Sequence, residues 1–250
     1  MSVLDQIIIG VREDLAKRRL PLAQIEEMMQ SALPAIKPNF NKETLSVIAE
    51  VKRSSPSKGH LSDITDPAEL AKQYQDNGAS VVSVLTEKRR FNGSLEDLDA
   101  VRKAIEIPIL RKDFMVDEYQ FYEARAYGAD LILLIVAGIS HSQLIDYYAL
   151  TYELGMKALV EVHDLAELES AMELNPEIIG VNARNLKSLE VSQEVFAEIL
   201  PEIPRSIIKV AESGIMNPAD VAFARKQGAD AILVGEALVK NFGDIKGLIG

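Results

Sequence analysis

At 250 residues without a cysteine, the chain is long enough to bury a sizeable core but has no disulfide, thiolate nucleophile or thiolate metal site. A formal net charge of −11 argues against nucleic acid or an anionic membrane as a general partner, because both are bound through basic surfaces. Hydrophobic residues at 48% and charged residues at 26% are the balance of a soluble globular protein, and no apolar run approaches the ~20 residues that span a bilayer.

The chain begins with predicted helices over Val3–Arg18 and Leu22–Ser31, Pro21 suiting the start of the second and Pro34 and Pro38 its end. The first of these, MSVLDQIIIGVREDLAKRR, carries acidic residues and lacks an apolar stretch followed by a small-residue cleavage site, so a cytoplasmic location is expected. A strand follows at Ser46–Val51. A weak repeat then sets in: an amphipathic helix, a glycine, and an aliphatic run, as AKQYQDNGASVVSVL, YEARAYGADLILLIV and AFARKQGADAILVG. The glycine falls where a helix C-terminus needs a left-handed residue, and the run behind it suits a parallel strand buried on both faces. Further strands are read at Ile107–Leu110, Lys157–Glu161, Glu177–Val181 and Ser206–Ala211. Eight strands alternating with helices favour closure into a (β/α)8 barrel over an open sheet, and no GxGxxG follows a strand. Without a linker or low-complexity stretch, residues 1–250 read as one barrel domain with residues 1–40 as an N-terminal helical extension.

In such barrels the site lies at the C-terminal ends of the strands. Successive strand residues alternate between faces, which pairs Glu50 with Lys52, Leu110 with Lys112, Leu159 with Glu161, Gly180 with Asn182 and Val210 with Glu212. Apart from the first pair, each sets a polar residue above an apolar or small one. Any single lysine or glutamate at a strand end is ordinarily solvated. Two lysines, three carboxylates and an amide from five strands converging on one mouth are not explained that way.

These same stretches carry a resemblance. AEVKRSSPSKG, SVLTEKRRFNGS, PILRKDF, LVEVHD, GVNARNL, KVAESGI and LVGEAL, in this order from about Val47 to Val239, resemble the signature of indole-3-glycerol phosphate synthases of tryptophan biosynthesis. The resemblance implies conversion of 1-(2-carboxyphenylamino)-1-deoxyribulose 5-phosphate to indole-3-glycerol phosphate, with release of carbon dioxide and water and without cofactor or metal. It makes Lys112 the candidate general acid at the ketone and Glu161 the candidate acid/base for dehydration. Lys52 would pair with the substrate carboxylate or phosphate and with Glu50. Asn182 would orient reacting groups, while Glu50 and Glu212 hold the lysines. Which lysine serves which proton transfer stays open.

For the phosphate, the expected donors are backbone groups at Ser213-Gly214 and Gly235-Glu236, after the seventh and eighth strands, joined by Lys52 and Ser55. Taken singly, each glycine reads as a simple turn. Relatives often carry Ser where this chain has Glu236; a carboxylate there would repel phosphate, so its side chain is expected to turn away. Arg184 is placed by the resemblance beside the substrate carboxylate or phosphate. Arg53, Lys58, Arg89, Arg90 and Arg111 lie in or near mouth loops and could make a locally positive entrance, ordinary solvation being the plainer reading for Arg89, Arg90 and Arg111. Phe91, Phe114, Leu133 and Leu186 are candidate walls for the aromatic ring, with packing as the alternative. Ser55, His60 and Asp63 supply triad residue types without a rigid frame for one. His163 and Lys209 have no assigned role.

The expected partner is a small phosphorylated substrate, with no nucleic acid and no membrane, and a monomer is expected. Rival readings are a sugar-phosphate isomerase, an aldolase using a Schiff-base lysine that borohydride would trap, and a non-catalytic barrel that binds without turnover.

Overall fold

The computed structural model describes residues 2–240 and 244–249. Its barrel strands are β1 (Ser46–Val51), β2 (Val81–Leu85), β3 (Ile109–Lys112), β4 (Leu131–Ile135), β5 (Lys157–Val162), β6 (Ile178–Asn182), β7 (Ile208–Glu212) and β8 (Ala231–Val234). All pair in parallel and close in the order β1-β8-β7-β6-β5-β4-β3-β2, the expected (β/α)8 barrel. The helices are α1 (Val3–Arg18), α2 (Leu22–Ser31), α3 (Pro67–Asp76), α4 (Leu95–Ala104), α5 (Tyr119–Ala126), α6 (His141–Glu153), α7 (Leu165–Met172), α8 (Glu194–Ile199), α9 (Pro218–Lys226), α10 (Glu236–Lys240) and α11 (Ile245–Ile249).

The repeat glycines do what their position demands. Gly78, Gly128 and Gly228 follow α3, α5 and α9 with φ of +95°, +84° and +102°. The next residue's N–H then reaches back across the helix end: Ala79 to Tyr74 O, Ala129 to Ala124 O and Ala229 to Ala224 O, at 2.9, 2.9 and 3.1 Å. This is the Schellman closure, and a side chain on those glycines would meet a left-handed backbone. Ser94, Asp66, Ser140, Asp164 and Asn217 cap helix N-termini with side-chain acceptors. Pro21 sits at the N-cap of α2 rather than inside its first turn.

Two strands begin two residues later than the residue pattern suggests, and β6 begins one residue later, at Ile178. β3 opens at Ile109, not Ile107, because Pro108 has no N–H and takes part only through its carbonyl, which accepts from Val82 N. β7 opens at Ile208, because Ser206 lies in a turn closed by Ile207 N donating to Pro204 O.

Side chains of alternate strand residues build two cores. Val47, Ala49, Ile109, Val160, Ile179 and Ala211 point outward and pack against the helices. Ile48, Leu110, Leu159 and Val210 point inward and fill the barrel. Leu4, Ile7 and Val11 of α1 join this inner cluster with Phe114, Leu133 and Ile135, so the first helix lies across the barrel mouth. α2 packs on α5 through Ile25 and Tyr119.

Candidate active site

One cavity opens at the C-terminal ends of the strands, and every residue singled out above as catalytic or substrate-binding lines it. Glu50 and Lys52 reach it from β1 and the turn beyond, Lys112 from β3, Glu161 from β5, Asn182 from β6 and Glu212 from β7. Apolar residues lie one inward step below the polar ones on β3, β5 and β7. Strand alternation is therefore sufficient to aim these groups, and barrel closure brings them together.

Lys112 is the hub. Its Nζ lies 2.9 Å from Glu161 Oε2 and 2.5 Å from Glu212 Oε2. Burial works against its charge, but Glu161, Glu212 and Glu50 outweigh burial and hold the ammonium well above the ordinary lysine range. Burial likewise opposes ionisation of Glu161, yet Lys112 and His163 keep it far below the usual carboxylate range. Glu212 moves the other way. Burial and the neighbouring Glu161 charge push its carboxyl up, against the pull of Lys112. Two carboxylates thus share one ammonium and differ in their readiness to take a proton.

Two glycines make room for this network. A Cβ on Gly180 would come within 2.0 Å of Glu212 Oε1, and one on Gly235 within 2.6 Å of Glu50 Oε2. Gly180 lies one inward step below Asn182 on β6 and Gly235 directly follows β8, so any larger residue at either would displace a carboxylate. Glu50 forms an ion pair with Lys52.

His163 stands beside the hub. Its Nε2 is 3.2 Å from Glu161 Oε1 and its Nδ1 2.9 Å from Glu167 Oε2, while Glu167 also accepts from the His163 backbone N–H at 2.9 Å. Burial disfavours the imidazolium, but Glu161 and Glu167 prevail and raise its pKa to about 10. The folded value exceeds the ordinary value of about 6.5, so the stabilisation is complete below about pH 6.5 and is lost as pH rises toward 10. Urea unfolding of the parent and of His163→Gln is therefore expected to differ most at pH 6 and to converge by pH 10; a gap that is constant across that range would disprove a charged His163.

The loop after β7 is bent into a shape few residues adopt. Ser213 and Gly214 follow one another with φ of +66° and +76°, and a Cβ on Gly214 would press within 2.9 Å of Val191. Gln193 Nε2 donates to Gly214 O at 2.6 Å and fixes the bend. Phe91 and Phe114 face each other with ring centroids 6.2 Å apart, and Leu133 and Leu186 complete an apolar side of the cavity. Phe91 is held by the loop below it, where the buried Glu87 carboxylate accepts from the backbone N–H groups of Arg89, Arg90 and Phe91.

The arginines of the mouth loops depart from the expected positive entrance. Arg111 is fully buried, donating to Asp113, Glu123, Thr86 and the Gln120 carbonyl. Its alternation with Lys112 already turns it toward the helix layer, where a guanidinium must be paired. Arg53 forms an ion pair with Asp97 and donates to Ile64 O. Arg89 grips Glu13 and Asp14 of α1, and Arg90 reaches Gln6. Their role is to fasten loops to the barrel. Glu236 lines the cavity, and its carboxylate lies 2.6 Å from Lys58 Nζ. Lys209, outward by parity, donates to Leu200 O at 2.8 Å beyond the end of α8.

Val3, Leu4 and Ile7 of α1 also line the cavity and were not among the expected site residues. Their spacing identifies an apolar helix face, but no local signal says which end of the barrel it covers. Among the described residues, no group of three or more His, Asp or Glu side chains is placed to hold a metal ion. Nor is any helix there long and apolar enough to cross a membrane.

A closed parallel barrel with a lysine held between two buried carboxylates at its mouth places the protein in the (β/α)8 class with a site suited to proton transfer. Residues 4–246 match the family model described as indole-3-glycerol phosphate synthase. The chain is similar to the indole-3-glycerol phosphate synthase of Paenarthrobacter aurescens (strain TC1), 55% identical over 96% of this chain and 92% of the relative. It is also similar to those of Rhodococcus jostii (strain RHA1), 55% identical over 96% and 90% of the two chains, and Mycobacterium sp. (strain KMS), 54% identical over 95% and 89%. The chain belongs to the indole-3-glycerol phosphate synthase family.

Proposed function

We propose that the mouth residues divide the work of one reaction, the conversion of 1-(2-carboxyphenylamino)-1-deoxyribulose 5-phosphate to indole-3-glycerol phosphate. The enzyme is a carboxy-lyase acting in tryptophan biosynthesis. The ring carbon bearing the carboxylate attacks the ketone carbon, and the ketone oxygen takes a proton from Lys112. The bond to the carboxylate then breaks, carbon dioxide leaves, and its electron pair restores the aromatic ring. Finally the new hydroxyl leaves as water with a second proton, and the neighbouring methylene loses one to form the pyrrole double bond.

The observation that carries this assignment is the position of Lys112 Nζ, between Glu161 and Glu212 at the base of the cavity. An ammonium there supplies both a proton and positive charge where the ketone oxygen becomes negative. Glu161, held ionised, suits removal of the methylene proton. Lys52, tied to Glu50 and next to Ser55, suits the phosphate end, with backbone groups of Ser213, Gly214 and Gly235. Asn182 accepts from Arg184 N at 3.0 Å, which fixes its amide to present the other end to substrate. Phe91, Phe114, Leu133 and Leu186 enclose the carboxyphenyl ring, with Leu4 and Ile7 of α1 above it. Arg184 Nη1, which donates to Ser57 Oγ and Leu189 O, holds the rim near the substrate carboxylate. A cytoplasmic setting and a monomeric state complete the proposal, the second being readable by light scattering.

Incubating the protein with the ketose substrate and following indole fluorescence together with released carbon dioxide tests the reaction. Equal yields of the two are expected. Borohydride trapping of a keto substrate on a lysine, with no carbon dioxide, would instead favour an aldolase.

A further inference from the structure

The segment after β1 folds into a small hairpin, Ser54–Ser55 against Gly59–His60, whose tip is Pro56-Ser57-Lys58. Its base is anchored by Arg53 to Asp97 and Ile64 O. Its tip reaches across the mouth at two points. Ser57 Oγ accepts from Arg184 Nη1 at 3.0 Å, and Lys58 Nζ meets Glu236 Oε1 at 2.6 Å. Ser55, Pro56, Ser57 and Glu236 all line the cavity, as do Ser213, Gly214 and Gly235.

Two of the cations at this end of the cavity already have carboxylate partners. Lys52 is matched by Glu50, and Lys58 by Glu236. A phosphate dianion entering between the hairpin and the β8 end meets an ammonium already engaged by the Glu236 carboxylate. An anion there gains the Lys58 ammonium only if Lys58 changes partner. The exchange is physically easy: the Lys58 side chain is half exposed and flexible, and one charge-assisted contact replaces another.

We propose that Lys58 is a phosphate-binding residue and Glu236 its counter-ion in the empty enzyme, the two forming a clasp that substrate phosphate opens by taking Lys58 from Glu236. This rests on the reading that the substrate phosphate lies between the loops after β1, β7 and β8. While the pair is closed, Glu236 keeps the hairpin tip at the rim and Lys58 engaged. In the complex Lys58 closes over the phosphate, and Glu236 withdraws. Glu236 thereby weakens binding of phosphate, whether free or carried on the substrate.

The test is competitive inhibition by inorganic phosphate, with substrate KM, for the parent, Glu236→Ser, Lys58→Ala and the double variant at one low ionic strength. Glu236→Ser is expected to tighten phosphate inhibition about 3- to 10-fold and Lys58→Ala to weaken it by a similar factor, the scale of one contact made by a half-exposed side chain. In the Lys58→Ala background, Glu236→Ser should have little further effect. Unchanged or weakened inhibition in Glu236→Ser overturns the clasp. So does tightening that persists in full without Lys58, which would mean simple repulsion. If the parent turns over substrate yet phosphate does not compete, the phosphate location fails and the clasp with it. A parent competed by phosphate whose variants show no coupling leaves the location standing and sinks the clasp alone.

Discussion

Lys112→Ala is expected to lower kcat by roughly 10²- to 10⁴-fold, the range attributed to a well-placed general acid. Indole fluorescence under saturating substrate measures it. Loss of the side chain also leaves Glu161 and Glu212, which are 1% exposed, facing each other without their shared cation. One of them must then take a proton, and stability falls as well. Lys112→Arg separates the two effects. A guanidinium keeps the positive charge between the carboxylates but gives up a proton less readily than an ammonium in the same place. Stability close to the parent with kcat still collapsed identifies Lys112 as the proton donor. Near-parent kcat in Lys112→Arg would reduce its role to charge, and near-parent kcat in Lys112→Ala would remove it from the chemistry.

Arg111→Met is expected to cost about 3–5 kcal/mol of stability, the usual penalty for removing one partner of a buried ion pair. Urea unfolding midpoints measure it. Arg111 is completely buried, and its guanidinium holds both Asp113 and Glu123, themselves 3% and 2% exposed. Arg18 of α1 also grips Glu123, at 3.0 Å through both guanidinium contacts. For Glu123, burial opposes ionisation but Arg111 and Arg18 keep its carboxyl low. Loss of Arg111 therefore falls mainly on Asp113, which retains only the Thr86 hydroxyl and the backbone N–H of Phe114 among the partners seen. Asp113 and Phe114 follow Lys112 directly, so the variant should lose activity in step with the loosening of this strand end. A loss of less than about 1 kcal/mol would mean that water or a rearranged Arg18 replaces the missing charge.

Much of the architecture is written in short-range pattern. The glycines of the three repeats declare helix ends because only a left-handed residue closes them, and Gly78, Gly128 and Gly228 take that conformation. Strand alternation puts Lys112, Glu161, Asn182 and Glu212 on one side of their strands, and the barrel turns that side inward. The errors at Ile107 and Ser206 arise where a proline and a turn delay pairing that aliphatic character alone suggests. The loop arginines were less legible. A charged residue beside a strand end looks the same in sequence whether it faces solvent, a substrate or a buried aspartate.

The sequence by itself therefore determined which residues form strands and helices and which side of each strand a group occupies, because both follow from local backbone geometry. Only the tertiary structure decided the partners. Arg18 meets Glu123 across 105 positions, Lys112 meets Glu212 across 100, and Lys58 meets Glu236 across 178. It also decided that α1 roofs the mouth and that Gly180 and Gly235 leave space for Glu212 and Glu50. The physical reason is that charge pairing and steric room depend on distances set by closure of the whole barrel, and no window along the chain contains them.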